Sequence, residues 1–175
     1  MAESRYLNAE RWEEMGRLND AQLQRRIEHI LERHPNASSL VVRQRLMSNL
    51  KPSHIYPHLV PFYEQYRIDD SADIQRELRK MMSAHLGLSI IAQTLSTGCF
   101  NYRQVEKALL ELTADFDHLT QAQRCKELRF GHGAPTDEHH QSQIVMTLQR
   151  LGHRLPDIWQ VLRQATESNK IAKPR

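Results

Sequence analysis

Ten histidines give this sequence most of its capacity for metal or acid–base chemistry, and several of them fall near carboxylates. The densest group comprises Asp115, His118, His132, Glu138, His139 and His140. Zinc ligands lie on one helix face or at tight-loop spacing, and no HExxH or CxxC pattern occurs. His139 and His140 are adjacent, so on a helix they point about 100° apart. We therefore interpret the group as a solvated polar patch and predict no metal site.

Sequence motifs for covalent or phosphoryl-transfer catalysis are absent as well. Cys99 and Cys125 have no catalytic sequence context, and two cysteines cannot build a disulfide framework. No GxSxG or GxxxxGK[ST] motif occurs. The nearby carboxylates Glu111, Asp115 and Asp117 are typical of the solvated side of an amphipathic helix. We predict a protein that is not an enzyme, with no catalytic residues and no cofactor.

Two stretches, 88–112 and 143–164, have the pattern of a helix-turn-helix. In each, a short apolar helix ends at a turn containing Gly98 or Gly152, and a second helix with apolar anchors follows. The second stretch resembles, over its 22 residues, the helix-turn-helix of MerR-type regulators. A plain hairpin of two helices would produce the same pattern, because helical bundles commonly contain such hairpins.

Net charge distinguishes the two stretches. Residues 69–148 carry eight Lys and Arg against eleven acids, whereas residues 149–175 carry six against two. A basic exposed helix pair can contact DNA phosphates, and Arg and Gln side chains can read base edges. We therefore predict a regulator that binds DNA through its C-terminal end. The predicted contacts are Arg150, Arg154, Gln160, Arg163, Gln164, Lys170 and Lys173.

Aromatic residues support an alternative function as a protein-binding adaptor. The segment 51–68 contains Pro52, Pro57 and Pro61, each of which lacks an N–H and disfavours a helix before it, so we predict an extended connector, with a helix after Pro61 as an open alternative. Exposed Tyr and Trp often dominate the binding energy of an interface. The partner-binding residues in this alternative are Tyr56, Phe62, Tyr63, Tyr66 and Trp159. Burial of the same residues in a hydrophobic core would explain their presence equally well.

Apolar residues recur every three or four positions along most of the chain, which predicts an all-α protein. We predict a compact bundle of about seven or eight helices with helix-turn-helix-like pairs. These include helices at 9–17 and 20–33, and one of about five turns between Asn101 and Leu119. We expect a single helical domain over residues 1–175, in which residues 168–175 form a flexible basic tail.

Composition and hydropathy favour a cytoplasmic protein. The sequence is 39% hydrophobic and 26% charged, with a net charge of +3. Its longest apolar runs, such as 86–91, are far shorter than the roughly 20 residues of a membrane span, so we expect no membrane partner. The expected partner is DNA or a protein. A homodimer would add specificity to one short DNA-reading helix.

Overall fold

The computed structural model describes residues 19–46 and 49–171. Nine α-helices and no strand occur in these ranges, which confirms the all-α prediction and slightly exceeds the predicted helix number. The helices are α1 Asp20–Arg33, α2 Ser39–Leu46, α3 Pro52–Glu64, α4 Ser71–Ser83, α5 Leu88–Thr97, α6 Tyr102–Ala114, α7 His118–Phe130, α8 Glu138–Arg150 and α9 Leu155–Ile171. The helix predicted at 9–17 lies outside the described residues.

The chain divides into two compact units, Met1–Asp70 and Ser71–Arg175. In the first unit α1, α2 and α3 enclose one apolar cluster. In the second unit α4, α5 and α6 enclose another cluster, and α7, α8 and α9 enclose a third. No helix in the described part of the chain is long and apolar enough to cross a membrane.

Helix α3 occupies the Pro-rich segment that we predicted to be extended, so this prediction is wrong. Pro52 lies in the first turn, where a backbone N–H has no partner to lose. Pro57 and Pro61 lie four residues apart and are exposed, so the carbonyls that lack a donor are near solvent. Ile55 and Leu59 are fully buried. Burial of this apolar side stabilises a helix that local sequence preferences disfavour.

Helix α6 is shorter than the five turns that its apolar spacing predicts. It ends at Ala114, and Asp117 begins α7 as its N-cap. The Asp117 carboxylate accepts a hydrogen bond from the Thr120 N–H at 3.0 Å. Phe116 continues the apolar repeat but packs against the cluster from the loop between the helices. A local cap thus overrides the periodic pattern.

Helix α9 is longer than predicted. The sequence predicts an end near Glu167 followed by a flexible tail at 168–175, whereas the helix continues to Ile171. Residues 168–171 therefore form its last turn. The remainder of the predicted tail lies outside the described residues.

A buried polar network ties the end of the first unit to the start of α2. The Asp70 carboxylate accepts hydrogen bonds from the Ser39 N–H and the Ser39 hydroxyl, each at 2.6 Å. The Ser39 hydroxyl lies 2.8 Å from the Tyr63 hydroxyl, which must donate because the serine proton goes to Asp70. Burial raises the pKa of Tyr63 above its usual range, and the Asp70 carboxylate raises it further. The three side chains thus form a neutral phenol, a hydroxyl and a carboxylate with matched donors and acceptors.

Replacing Asp70 with Ala should destabilise the first unit by about 2–4 kcal/mol, because it leaves two buried Ser39 donors without their acceptor. The matched control is Asp20→Ala, whose carboxylate is 93% exposed and should matter little. The measurement is urea unfolding followed by circular dichroism. Equal destabilisation of both variants would mean that the network contributes no more than a surface carboxylate.

Two interhelical turns of the second unit touch through their backbones at Gly87 and Gly152. A Cβ added to Gly87 would lie 2.1 Å from the Gly152 carbonyl carbon, and one added to Gly152 would lie 2.6 Å from the Ile90 nitrogen. The Gly87 N–H donates to the Leu151 carbonyl at 2.8 Å. The Ser89 hydroxyl donates to the Gly152 carbonyl at 3.0 Å. Only glycine permits this approach at either position.

Gly87→Ala and Gly152→Ala should each cost about 3 kcal/mol or more, because the new methyl group meets backbone atoms that cannot move aside cheaply. Gly152 has in addition a φ of 91°, which strains any residue with a side chain. The control is Gly133→Ala, whose Cβ would meet nothing within 4 Å. Thermal unfolding of the three variants is the measurement. Wild-type stability in Gly87→Ala would contradict the backbone contact.

Candidate nucleic-acid interface

The second helix-turn-helix-like stretch forms α8 and α9, joined by the four residues 151–154. The Asp137 carboxylate caps α8 by accepting a hydrogen bond from the His140 N–H at 2.8 Å. Pro156 lies in the first turn of α9, where its missing N–H breaks no helical hydrogen bond. Local capping and a glycine turn therefore produce the helix pair expected from the sequence.

Helix α9 has a buried side and an exposed side. Ile158 and Leu162 are buried in the cluster that α9 shares with α7 and α8. Gln160 and Arg163 are exposed, and their spacing of three residues places them on the same side of the helix. Trp159 is 43% exposed. The exposed side therefore presents a guanidinium, an amide and part of an indole ring to solvent.

The charge of Arg154 is largely offset by a neighbour at the start of α9. Its Nε donates to Asp157 Oδ2 at 2.7 Å, and its Nη2 donates to Oδ1 at 3.3 Å. The arginine side chain is 58% exposed, while that of the aspartate is 12% exposed. The remaining N–H groups of the guanidinium can still reach a phosphate. Because of this ion pair, however, Arg154 attracts a phosphate less strongly than the sequence implied.

The other predicted DNA contacts are distributed over α8 and α9. Arg150 at the end of α8 and Lys170 in the last turn of α9 are exposed. Gln164 lines a cavity of about 250 Å³ between α7 and α9, about 100° around the helix from Arg163. Lys173 lies outside the described residues. Gln164 is nevertheless exposed and follows Gln160 by four residues, so the two side chains are neighbours on α9.

Lys126 is a buried cation beside this cavity, and our sequence analysis missed it. Its ammonium group donates to the Gly131 carbonyl at 2.8 Å and to the Gly133 carbonyl. Burial lowers the pKa of Lys126, and the adjacent Glu127 carboxylate opposes this shift. These bonds hold the loop between α7 and α8. The sequence signal that could have identified Lys126 is the loop containing Gly131 and Gly133, because loop carbonyls that point inward require a hydrogen-bond donor.

The aromatic residues proposed as partner anchors have different environments. Phe62 and Tyr63 are 2% and 0% exposed in the core of the first unit, so they cannot act as exposed anchors in this fold. Tyr56 is partly buried against the same core, with its ring centroid 5.8 Å from that of Tyr63. Tyr66 and Trp159 are exposed. Core packing of α3 explains the aromatic content of most of this segment.

His132, His139 and His140 each contact a different residue. His132 lies 3.3 Å from the Glu127 carboxylate, and His139 contacts a glutamine one turn later. His140 accepts a hydrogen bond from the Thr136 N–H at 3.2 Å. Within residues 19–46 and 49–171, no group of three or more His, Cys, Asp or Glu side chains is placed to hold a metal ion.

No protein-family model matches this chain, and no curated protein is significantly similar to it. Its function must therefore be inferred from the residues and their geometry.

The turn between α8 and α9 contains a buried imidazole. His153 Nε2 lies 2.9 Å from the His85 carbonyl, so this nitrogen is the donor. Burial lowers the pKa of His153, while the hydrogen bond to His85 and the Asp157 carboxylate partly oppose the shift. Electrostatic interaction with the nearby His118 and His85 lowers this pKa further. The packing of this turn therefore favours the neutral imidazole.

The stability of the second unit should fall in mild acid because of His153. Its pKa is lower in the folded state than the unfolded value of about 6.5, so the stabilisation is complete above that pH and declines as the pH falls below it. His153→Gln should reduce the decline in free energy of unfolding between about pH 7 and about pH 5. The control is His139→Gln at an exposed position. An undiminished decline in His153→Gln would contradict this assignment.

Proposed function

We propose that this protein is a non-enzymatic cytoplasmic regulator that binds DNA through the helix pair α8–α9. The observation that carries the proposal is the division of α9 into two sides. Ile158 and Leu162 are buried within its own unit, whereas Gln160 and Arg163 are exposed. These side-chain types can hydrogen-bond to the edges of adenine and guanine in the major groove.

The position of these residues also fits DNA recognition. In a helix-turn-helix the second helix enters the major groove, and residues in its first turns reach the bases. Helix α9 is the second helix of the pair, and Gln160 and Arg163 lie in its first three turns. Helix α9 spans 17 residues, which is long enough to follow the groove over several base pairs.

Charge supports contact with the DNA backbone. Arg150 and Lys170 are exposed on the two helices and can each meet a phosphate. Glu138 and Glu167 are the exposed acids of the same helices, and they reduce the net positive charge. We therefore expect modest affinity for one copy of the chain. A homodimer would double the number of contacts and supply the specificity that one helix lacks.

A protein-binding adaptor is the second candidate function, because α9 also exposes two large apolar side chains. Leu155 and Trp159 are 41% and 43% exposed, and their spacing of four residues makes them neighbours on the helix. A partly exposed tryptophan is a typical anchor of a protein interface. On this alternative, Trp159→Ala abolishes a protein complex and leaves DNA affinity unchanged.

Arg163→Ala and Gln160→Ala should both weaken DNA binding without unfolding the chain, since the buried anchors of α9 remain. If Arg163 binds a phosphate, its replacement lowers the slope of log K against log salt by about one, whereas loss of the uncharged Gln160 should leave that slope unchanged. If it binds a base, its replacement costs roughly 1–3 kcal/mol and relaxes preference at one base pair. The measurement is fluorescence anisotropy with labelled random and genomic duplexes at about 50 and about 200 mM salt.

The matched control is Arg79→Ala, which removes an exposed arginine of α4 in the same unit. It should leave both affinity and salt slope unchanged. A wild-type chain that binds no duplex at the lower salt would end the DNA proposal, as would equal weakening by Arg163→Ala and Arg79→Ala.

A further inference from the structure

We propose that a basic groove between α1 and α2 in the first unit is a second DNA contact, which binds the phosphodiester backbone. The groove has a volume of about 780 Å³. Its described lining consists of Arg25, Arg26, His29, Ile30, Arg45 and Leu46. This inference rests on the proposed function for the identity of the polyanion, but it concerns different residues in a different unit.

Helical spacing explains why the basic side chains meet in this groove. His29 follows Arg25 by four residues on α1, so the two side chains are neighbours. Arg45 reaches the groove from the last turn of α2. Leu46 is 3% exposed and forms part of the groove floor. Two helices therefore supply cations to the rim, while apolar side chains close the base.

Within the described part of the chain, no carboxylate forms an ion pair with the arginines of the groove, Arg25, Arg26 and Arg45. The only acid paired with a lining residue in the described part is Glu32, 3.7 Å from His29 Nδ1 and 62% exposed. Three like charges around one concavity repel each other, and a bound anion relieves that repulsion.

The chemistry and shape of the groove favour a phosphodiester backbone. Guanidinium groups bind phosphate oxygens through two parallel hydrogen bonds, which ammonium groups cannot do. A bilayer would require large apolar side chains projecting from a convex face. Here the apolar residues Ile30 and Leu46 lie inside the groove, and the exposed groups at its rim are charged. The groove lining contains no described Phe, Tyr or Trp on which a single-stranded base could stack, so duplex DNA is the expected ligand.

The test is duplex binding by the full chain carrying Arg25→Ala together with Arg45→Ala. The salt slope should fall by about 0.9 for each phosphate that the variant can no longer bind, with the same effect on random and genomic sequences. Arg33→Ala is the control, because it removes an exposed arginine of the same helix outside the groove lining. A double variant with Arg25→Lys and Arg45→Lys should retain most of the slope, since Lys keeps the charge.

Several results would overturn the inference. One is a double-Ala variant with the wild-type salt slope, and another is an equal reduction of the slope in Arg33→Ala. Binding to anionic phospholipid vesicles that depends on these arginines, while duplex binding does not, would indicate a membrane surface instead. Displacement of the duplex from this groove by millimolar inorganic phosphate would indicate a small-anion site.

The two DNA proposals can fail separately. Weaker binding in the groove variant but not in Arg163→Ala would leave the groove as a polyanion site and remove the role of α9. The reverse result would leave the role of α9 intact and overturn the groove. Circular dichroism of each variant verifies that the change in binding does not come from unfolding.

Discussion

The contact between Gly87 and Gly152 is the constraint on which the geometry of the second unit depends. Two backbone segments approach so closely that neither position has space for a methyl group. The Gly87 N–H and the Ser89 hydroxyl then hydrogen-bond to carbonyls of the facing turn. This contact lies between the end of α8 and the start of α9, and His153 beside it is buried. The exposed side of α9 follows from that placement.

Electrostatics then distinguishes arginines that stabilise the fold from arginines available to a ligand. Arg67 pairs with Glu28 at 2.5 Å, and Arg154 makes two hydrogen bonds to Asp157. Arg163 on α9 and Arg45 in the groove are exposed and take part in no such pair among the described residues. An exposed arginine without a carboxylate partner keeps its full attraction for phosphate. Both proposed DNA contacts rest on this difference.

Helices with regular apolar spacing and strong caps could be predicted from the sequence. Helix α1 has the bounds that the pattern indicated, since Asn19 and Gln22 form a reciprocal capping box at its start. Helix α3 could not be predicted, because its prolines oppose a helix locally and only burial of Tyr63 and its neighbours in a tertiary core compensates. Local rules contain no information about such long-range packing.

The candidate sites, too, could be predicted from the sequence only in part. Exposure of Gln160 and Arg163 followed from their helical positions relative to buried Ile158. The groove between α1 and α2 could not be predicted, because Arg45 reaches Arg25 only when the two helices pack together. The ion pair of Arg154 with Asp157 was not predicted, although their three-residue spacing permits it on a helix.

Hydroxyl-radical footprinting of the full chain, with and without saturating duplex DNA, tests most directly whether α9 faces DNA. Trp159 is 43% exposed and lies beside Gln160 and Arg163, so bound DNA should protect its side chain from oxidation. Added salt should remove the protection as the complex dissociates. Unchanged oxidation of Trp159 under conditions in which the duplex is fully bound would contradict a DNA-binding role for this helix.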